Sequence, residues 1–184
     1  MKEDTRPTFY LDNNKEKPIR AGGVLIYKMN GDDLEVLISE NEHTYGIVYE
    51  DLGGCTDNED SNYIDTIVRE AYEESNKLIK RKAMRRQIEN NISYLYSEKA
   101  KYVVYIVEAT EKQEKMVSAD FGDKEEHDGF NRKIKWIKTS EFCDKNVIKN
   151  KLHFRLKNPS LFTLLQTIQS NKRNYSKNLL SNLE

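Results

Sequence analysis

The chain has 184 residues, 33% of them charged and 10% aromatic, and its 30 Lys and Arg nearly balance 31 Asp and Glu for a net charge of -1. That length holds one domain with a substantial core and leaves little for a second. The near-neutral balance excludes a globally basic nucleic-acid binder, so any contact with nucleic acid has to come from a local patch. No run approaches the ~18 consecutive apolar residues of a membrane span, and Met1 to Arg6, charged and without an apolar segment, does not read as a secretory signal. Cys55 and Cys143 stand far apart with no CxxC spacing, which points to reduced thiols and a cytoplasmic setting without a membrane partner.

Residues 1–19 are polar and loosely patterned and read as an N-terminal arm. Ala21 to Tyr27 reads as a buried strand, Asn30-Gly31-Asp32-Asp33 as a hairpin turn, and Leu34 to Ile38 as the antiparallel return. A further short strand is expected over Tyr45 to Tyr49. From Asn62 to Lys77 the residues Tyr63, Ile64, Ile67, Val68, Ala71 and Tyr72 recur at helical spacing, giving one packed face and one acidic face. Ser61 or Asn62 serves as the N-cap. Lys77 to Arg86 is strongly basic, Tyr102 to Val107 is the clearest strand of the second half, and residues 111–133 read as a long polar loop. Ile134 to Ile137 is another short strand. The end reads as two helices, Val147 to Leu156 and Pro159 to Ile168, the second capped by Asn158 with Pro159 in its first turn, followed by a polar tail over 171–184. Strands mixed with hairpins and helices give an α/β or α+β sandwich, with residues 20–170 as its domain.

The acidic face of the central helix carries Glu70, Glu73 and Glu74 at i, i+3 and i+4, three like charges on one side of a helix. They repel one another, so a fold rarely gathers them for stability alone. Clustered hard oxygen ligands of this kind suit Mg²⁺ or Mn²⁺ held jointly with substrate phosphates. The plainer reading, a solvated acidic face offset by Lys77, Lys80 and Arg81, has to be set against the Gly53-Gly54 lead-in and the order Arg69-Glu70-Ala71-Tyr72-Glu73-Glu74.

Those residues carry a family resemblance. Gly54, the loop acids Glu59 and Asp60, and Arg69 to Glu74 resemble the Nudix box, G-x5-E-x7-R-E-U-x-E-E-x-G-U with U apolar, over a domain of residues 20–170. Counted from Gly54 the loop holds one residue more than the pattern, either Glu59 or Asp60 stands for its glutamate, and Asn76 replaces its last glycine. Asn is the residue next best able to take the left-handed conformation at a helix end. The resemblance implies a Nudix-type α/β/α sandwich with a mixed sheet and a catalytic helix after a Gly-Gly loop. It implies that Gly53 and Gly54 form a turn bringing backbone to the metal, with Gly53 among the ligands, and that Glu70, Glu73 and Glu74 bind Mg²⁺ or Mn²⁺. It further implies that Glu70 or Glu73 orients or deprotonates water, and that Arg69 braces the loop acid, Glu59 or Asp60, and belongs to the catalytic set. The reaction implied is hydrolysis of a pyrophosphate in a nucleoside diphosphate linked to another group.

Outside the box the signals are weaker. The loop with Asp120, Asp123, Glu125, Glu126 and Asp128 is the expected source of a further acid, Glu126 as a catalytic group or Glu125 toward substrate, against the plainer reading of an ordinary polar loop. His127 beside them reads first as an exposed histidine. Lys80 and Arg81, in the basic run after the helix, are candidate substrate contacts, equally readable as a solubilising surface. Tyr45, Tyr49, Tyr94, Tyr96 and Phe130 are candidate base-stacking residues, though most strand tyrosines simply pack. His153-Phe154-Arg155 reads as core packing with an exposed Arg. The basic run and the divergent spacing, which also resembles Nudix proteins of large DNA viruses, favour decapping of mRNA with release of m7GDP, in a host cytoplasm. The alternatives are hydrolysis of dinucleoside polyphosphates, nucleotide sugars or diphosphoinositol polyphosphates, and a Nudix-fold module that binds nucleotide or RNA without catalysis.

Overall fold

Two short strands, β1 (Phe9–Tyr10) and β2 (Pro18–Ile19), pair within the arm. The computed structural model describes residues 5–44, 46–90 and 93–181, with side chains to residue 172. Tyr45, residues 1–4 of the arm and residues 182–184 of the tail lie outside the described residues. β3 (Ala21–Asn30) and β4 (Asp33–His43) form the expected hairpin, each longer than its apolar run. Asn30 pairs with Asp33, so the loop is Gly31-Asp32, and Gly31 takes the positive φ of 60°. β5 (Gly46–Glu50) and β6 (Leu52–Cys55) follow, then α1 (Tyr63–Glu74) and α2 (Arg81–Glu89). β7 (Tyr94–Ser97) and β8 (Tyr102–Glu108) lead to α3 (Glu111–Glu114) and α4 (Ser118–Phe121). β9 (Arg132–Lys138), α5 (Thr139–Phe142), α6 (Lys145–Asn150), a 3-10 turn over Phe154–Leu156 and α7 (Pro159–Ser181) complete the chain.

The main sheet runs β5-β4-β3-β8-β7, with β6 also on β3 and β9 also on β4. It is mixed, because β3 and β8 are parallel while the other pairs are antiparallel. β3 shares one edge between β6, along Ala21 to Val24, and β4, along Ile26 to Asn30. β4 in turn passes from β3 to β5 at Ser39. The sheet therefore splays between β5 and β6, and the candidate site occupies that splay.

Helices cover both faces. β8 is buried along Tyr102 to Val107, as an interior strand with two covered faces must be. Val103, Tyr105 and Val107 pack with Val24, Ile26 and Leu37 against Ile67, Val68 and Ala71 of α1 and Met84 and Ile88 of α2. Val104 and Ile106 pack with Leu25, Val36 and Ile38 against Phe142, Leu156, Leu161 and Leu165. This is an α/β/α sandwich. Among the described residues no helix is long and apolar enough to cross a membrane.

Four expectations need correction. Gly53-Gly54 is a strand, not a turn, because β6 pairs with β3. The 111–133 loop holds α3, closed by a Thr110–Gln113 capping box, and α4, anchored by buried Phe121. The helix expected to Leu156 stops at Asn150, since the next residues are drawn onto β5: the Tyr49 amide donates to Lys151 O at 2.7 Å and His153 donates to Tyr49 O at 3.0 Å. The last helix runs well past Ile168, into the stretch expected as a polar tail.

Candidate active site

α1 begins at Asn62, whose Oδ1 accepts from the Asp65 amide at 3.0 Å, and its packed face of Ile67, Val68 and Ala71 turns the opposite side toward β6. There the two elements nearly touch. A Cβ built on Gly54 would lie 2.5 Å from the Glu70 carboxylate, so any other residue there would push that side chain out of its present position. Gly54 and Gly53 pair across the strands with Gly22 and Gly23, and a side chain on Gly53 would strike Gly23 and the Tyr102 hydroxyl.

Arg69 spends all five of its N–H donors on protein. Nε and Nη2 reach the two carboxylate oxygens of Asp60, both at 3.1 Å. Nη1 reaches Glu70 at 2.7 Å and Glu73 at 3.1 Å, and Nη2 also reaches the Cys55 carbonyl at 2.8 Å. Asp60 is thus the loop acid; Glu59 is exposed. Burial works to raise the Asp60 pKa, but hydrogen bonds from Arg69, the Asp57 amide and Thr66 outweigh it and hold it below the usual value. Arg69, expected in the catalytic set, has no donor left for a further group, and its bonds tie the Asp60 loop to Glu70 and Glu73.

Glu70, Glu74 and Glu125 line one cavity of about 830 Å³, together with Ser39, Asn41 and His43 of β4, Glu50, Gly53, Gly54, Phe130 and Arg132. Burial pushes the Glu70 carboxyl up to about 7, with Arg69 pulling it down and Glu73 and Glu125 pushing it up. Glu74 is raised well above the ordinary value by burial first and by the charge of Glu70 second, against the pull of Arg155. Its Oε2 is enclosed and has no hydrogen-bond partner. Glu125 is raised as well, by burial and by Asp128. Glu73, the third expected ligand, does not line the cavity: Arg69 and Arg81 hold its two oxygens at 3.1 and 3.3 Å.

Of the two loop acids, Glu125 enters the cavity, and Glu126 is exposed and pairs with Lys77 at 3.6 Å. Asn76 decides this. At φ 51° its side chain donates to the carbonyls of Phe121 and Lys124 at 2.8 and 2.9 Å and accepts from the Glu126 amide at 2.9 Å. The Glu125 amide donates to Phe130 O at 2.8 Å and Arg132 donates to Asp123 O at 3.0 Å, closing the segment as a hairpin. His127 pairs with Asp128 at 3.0 Å, and donor atoms of Glu125, His127 and Asp128 all lie within 4.8 Å of one another.

Lys80 and Arg81 do not line the cavity; Lys80 is the residue before α2, and Arg81 pairs with Glu73 and lies over the Tyr72 ring at 4.8 Å. Tyr49 is buried, Tyr94 packs on Tyr105, and the Tyr96 hydroxyl donates to Pro18 O. Phe130 alone of the candidate aromatics that are described lines the cavity, with 68% of its surface exposed.

The expectation for His153-Phe154-Arg155 is inverted: Phe154 is exposed and the Arg155 side chain is largely buried beside the site. Its Nε donates to Asp51 at 2.8 Å and its Nη2 to Gly53 O at 3.3 Å, while the Tyr102 hydroxyl donates to the other Asp51 oxygen at 2.5 Å. Burial opposes the charge on Arg155, but Tyr102, Asp51, Glu50 and Glu74 raise its pKa well above the ordinary value. Arg132, buried at the start of β9, is the other basic residue not anticipated. A polar residue in an alternating strand is the one sequence signal that pointed to it.

No protein-family model matches the chain, and no curated protein matches it. Solved structures do. A Caenorhabditis elegans Ap4A hydrolase, in a binary complex, is 18% identical with a TM-score of 0.47, over 85% of this chain and 98% of that one. RenU, a Nudix hydrolase of M. smegmatis, is 13% identical with a TM-score of 0.40, over 91% and 96%. NrtR of Shewanella oneidensis, complexed with a 27mer DNA, is 15% identical with a TM-score of 0.38, over 86% of this chain and 63% of that one.

Proposed function

We propose that the protein is a divalent-metal-dependent pyrophosphohydrolase of the Nudix type, acting on a nucleoside diphosphate joined to a second group. One observation carries the reading: acids from two separate segments, Glu70 and Glu74 of α1 and Glu125 of the hairpin, line one cavity beside the Gly53-Gly54 strand, with Glu74 Oε2 enclosed and unpartnered. Buried like charges without partners are costly, and a hard divalent cation is the group that such oxygens fit. Glu70, Glu74 and Glu125, with the Gly53 carbonyl, would hold Mg²⁺ or Mn²⁺, which supplies charge neutralisation at the pyrophosphate and acidifies water. Glu70, whose carboxylate Arg69 holds at 2.7 Å, would be placed to orient the attacking water. Arg69 fixes Glu70 and Glu73 relative to the Asp60 loop.

The cavity volume is that of a nucleotide-sized ligand, and exposed Phe130 at its edge offers a face for a base. These favour a small dinucleotide or nucleotide-linked substrate. Capped mRNA is the second reading, favoured by Lys80, Lys82 and Arg86, which are exposed on or beside α2. It is weakened by the engagement of Arg81 with Glu73 and of Arg85 with Asp65.

The test is a panel of dinucleoside polyphosphates, nucleotide sugars, diphosphoinositol polyphosphates, free cap dinucleotide and cap-labelled RNA, each with Mg²⁺ or Mn²⁺, on wild type and Glu74→Gln. The expected result is metal-dependent turnover of a small dinucleotide by the wild type and its loss in the variant. Release of m7GDP from RNA but not from the cap dinucleotide establishes the second reading. No metal-dependent turnover of any substrate leaves a nucleotide-binding module.

A further inference from the structure

We propose that Arg132 is a substrate-binding residue, gripping a phosphate of the ligand from the β9 side of the cavity, apart from the acids of α1. The inference rests on the reading of the cavity as a pyrophosphate site.

Arg132 is 4% exposed and lines the cavity with Glu70, Glu74 and Glu125. Its Nε and Nη2 are enclosed and have no hydrogen-bond partner, and Nη1 reaches only the carbonyls of Gly122 and Phe121, at 3.4 and 3.5 Å, the outer limit of a hydrogen bond. A guanidinium removed from water with donors unmet is strongly disfavoured. Glu74 and Glu125 lie near enough for their charge to act on Arg132, yet among the described residues no ion pair joins them to it. Glu74 Oε2 is left in the same unmet state. Arg132 and Glu74 thus each bring an unmet buried group to the lining of one cavity, and a phosphate with its cation is a ligand that would satisfy both.

The donor geometry fits that ligand. A planar guanidinium fork matches two oxygens of a phosphate, and the acids opposite would hold the cation that neutralises the rest of its charge. The hairpin that supplies Glu125 ends at Arg132, through the Arg132 amide bond to Asp123 O at 3.0 Å, so one loop delivers both the acid and the base to the cavity. Arg69 and Arg155 do not substitute: the first has every donor engaged, and the second does not line the cavity and bonds Asp51 and Gly53 O from beside it.

The probe is methylenebisphosphonate, a pyrophosphate analogue whose P–C–P bridge resists hydrolysis, titrated calorimetrically into wild type, Arg132→Gln and Arg132→Lys, with saturating Mn²⁺ and without it; Mn²⁺ alone is titrated separately. Arg132→Gln is expected to weaken bisphosphonate binding about 10- to 100-fold, while its affinity for Mn²⁺ is equal or tighter because a nearby positive charge is gone. Arg132→Lys, which keeps the charge and loses the fork, is expected to fall between, and it decides the matter if the Gln variant does not fold. Equal bisphosphonate binding by wild type and the variant overturns the proposal and leaves Arg132 a structural counter-charge. Failure of the wild type to bind Mn²⁺ overturns the metal reading, and the metal-free titrations then judge Arg132 by the same comparison.

Discussion

Asn76 Nδ2 donates to the Lys124 carbonyl at 2.9 Å and so ties the end of α1 to the hairpin that carries Glu125. With its bonds to Phe121 O and from the Glu126 amide, the side chain spans two segments 45 to 50 residues apart in sequence. Asn76→Gly keeps the left-handed backbone and removes only these contacts. Its expected effects are a loss of about 1–3 kcal/mol of stability, faster amide exchange over residues 121–131 and weaker Mn²⁺ binding. Thermal denaturation, exchange mass spectrometry and calorimetry check them; unchanged exchange in that segment would refute the role.

Asp60 and Glu59 are neighbours with opposite expectations. Asp60→Asn removes one side of a buried bidentate ion pair and is expected to cost about 3 kcal/mol, whereas Glu59→Gln, on an exposed side chain, is expected to change stability by less than about 0.5 kcal/mol. Because the Asp60 pKa is lowered on folding, its contribution is present above the unfolded value of 3.8 and is lost as pH falls through the folded value. Urea denaturation of both variants at neutral pH and at acid pH reads this directly.

Glu70 titrates with the opposite sign. Its carboxyl rises from 4.5 to about 7 on folding, so between those values the native state holds the proton that the unfolded chain releases, and stability falls as pH rises. For one group the full shift corresponds to about 3 kcal/mol. The metal-free protein is expected to melt at progressively lower temperature from pH 4.5 to 7, Glu70→Gln to flatten that slope, and added Mn²⁺ to reverse it. A slope identical in wild type and variant would remove Glu70 as its source.

Arg155 is expected to tolerate no single removal. Arg155→Met leaves Asp51 buried beside Tyr102 without its cation and should cost about 3–5 kcal/mol. Adding Asp51→Asn should restore part of it, since the stranded charge is then gone. The double-mutant cycle, measured by denaturation, has a coupling energy different from zero if the pair acts as one unit.

The fold was legible in the sequence wherever one pattern dominated. β3, β4, β8, β9 and α1 carry apolar runs or helical spacing that tertiary contacts reinforce. β6 was hidden because two of its four residues are glycines, which read locally as a turn and are chosen here for lack of a side chain. The helix expected to Leu156 was overridden by backbone bonds from Tyr49, 102 residues away from Lys151, which no local pattern records. In the site, the clustering of Glu70 and Glu74 followed from helical spacing, and the pairing of Arg69 with the loop acid followed from the resemblance to the Nudix box. The separation of Glu73 from the cavity, the choice of Glu125 over Glu126 and the roles of Arg132 and Arg155 depend on which way a side chain turns, and that is fixed by long-range partners.

The paired glycines of β3 and β6 also bear on how the chain assembles. Gly22 opposes Gly54 and Gly23 opposes Gly53, flanked by Ala21 opposite Cys55 and Val24 opposite Leu52. A slip of one residue would carry a side chain into space sized for none, between Ile67 on one face and Asp51 and Tyr102 on the other. Misaligned docking of β6 is therefore expelled sterically, and the block works as a key cut for a single alignment. The distance between that strand and Glu70 is set during folding, before any ligand arrives.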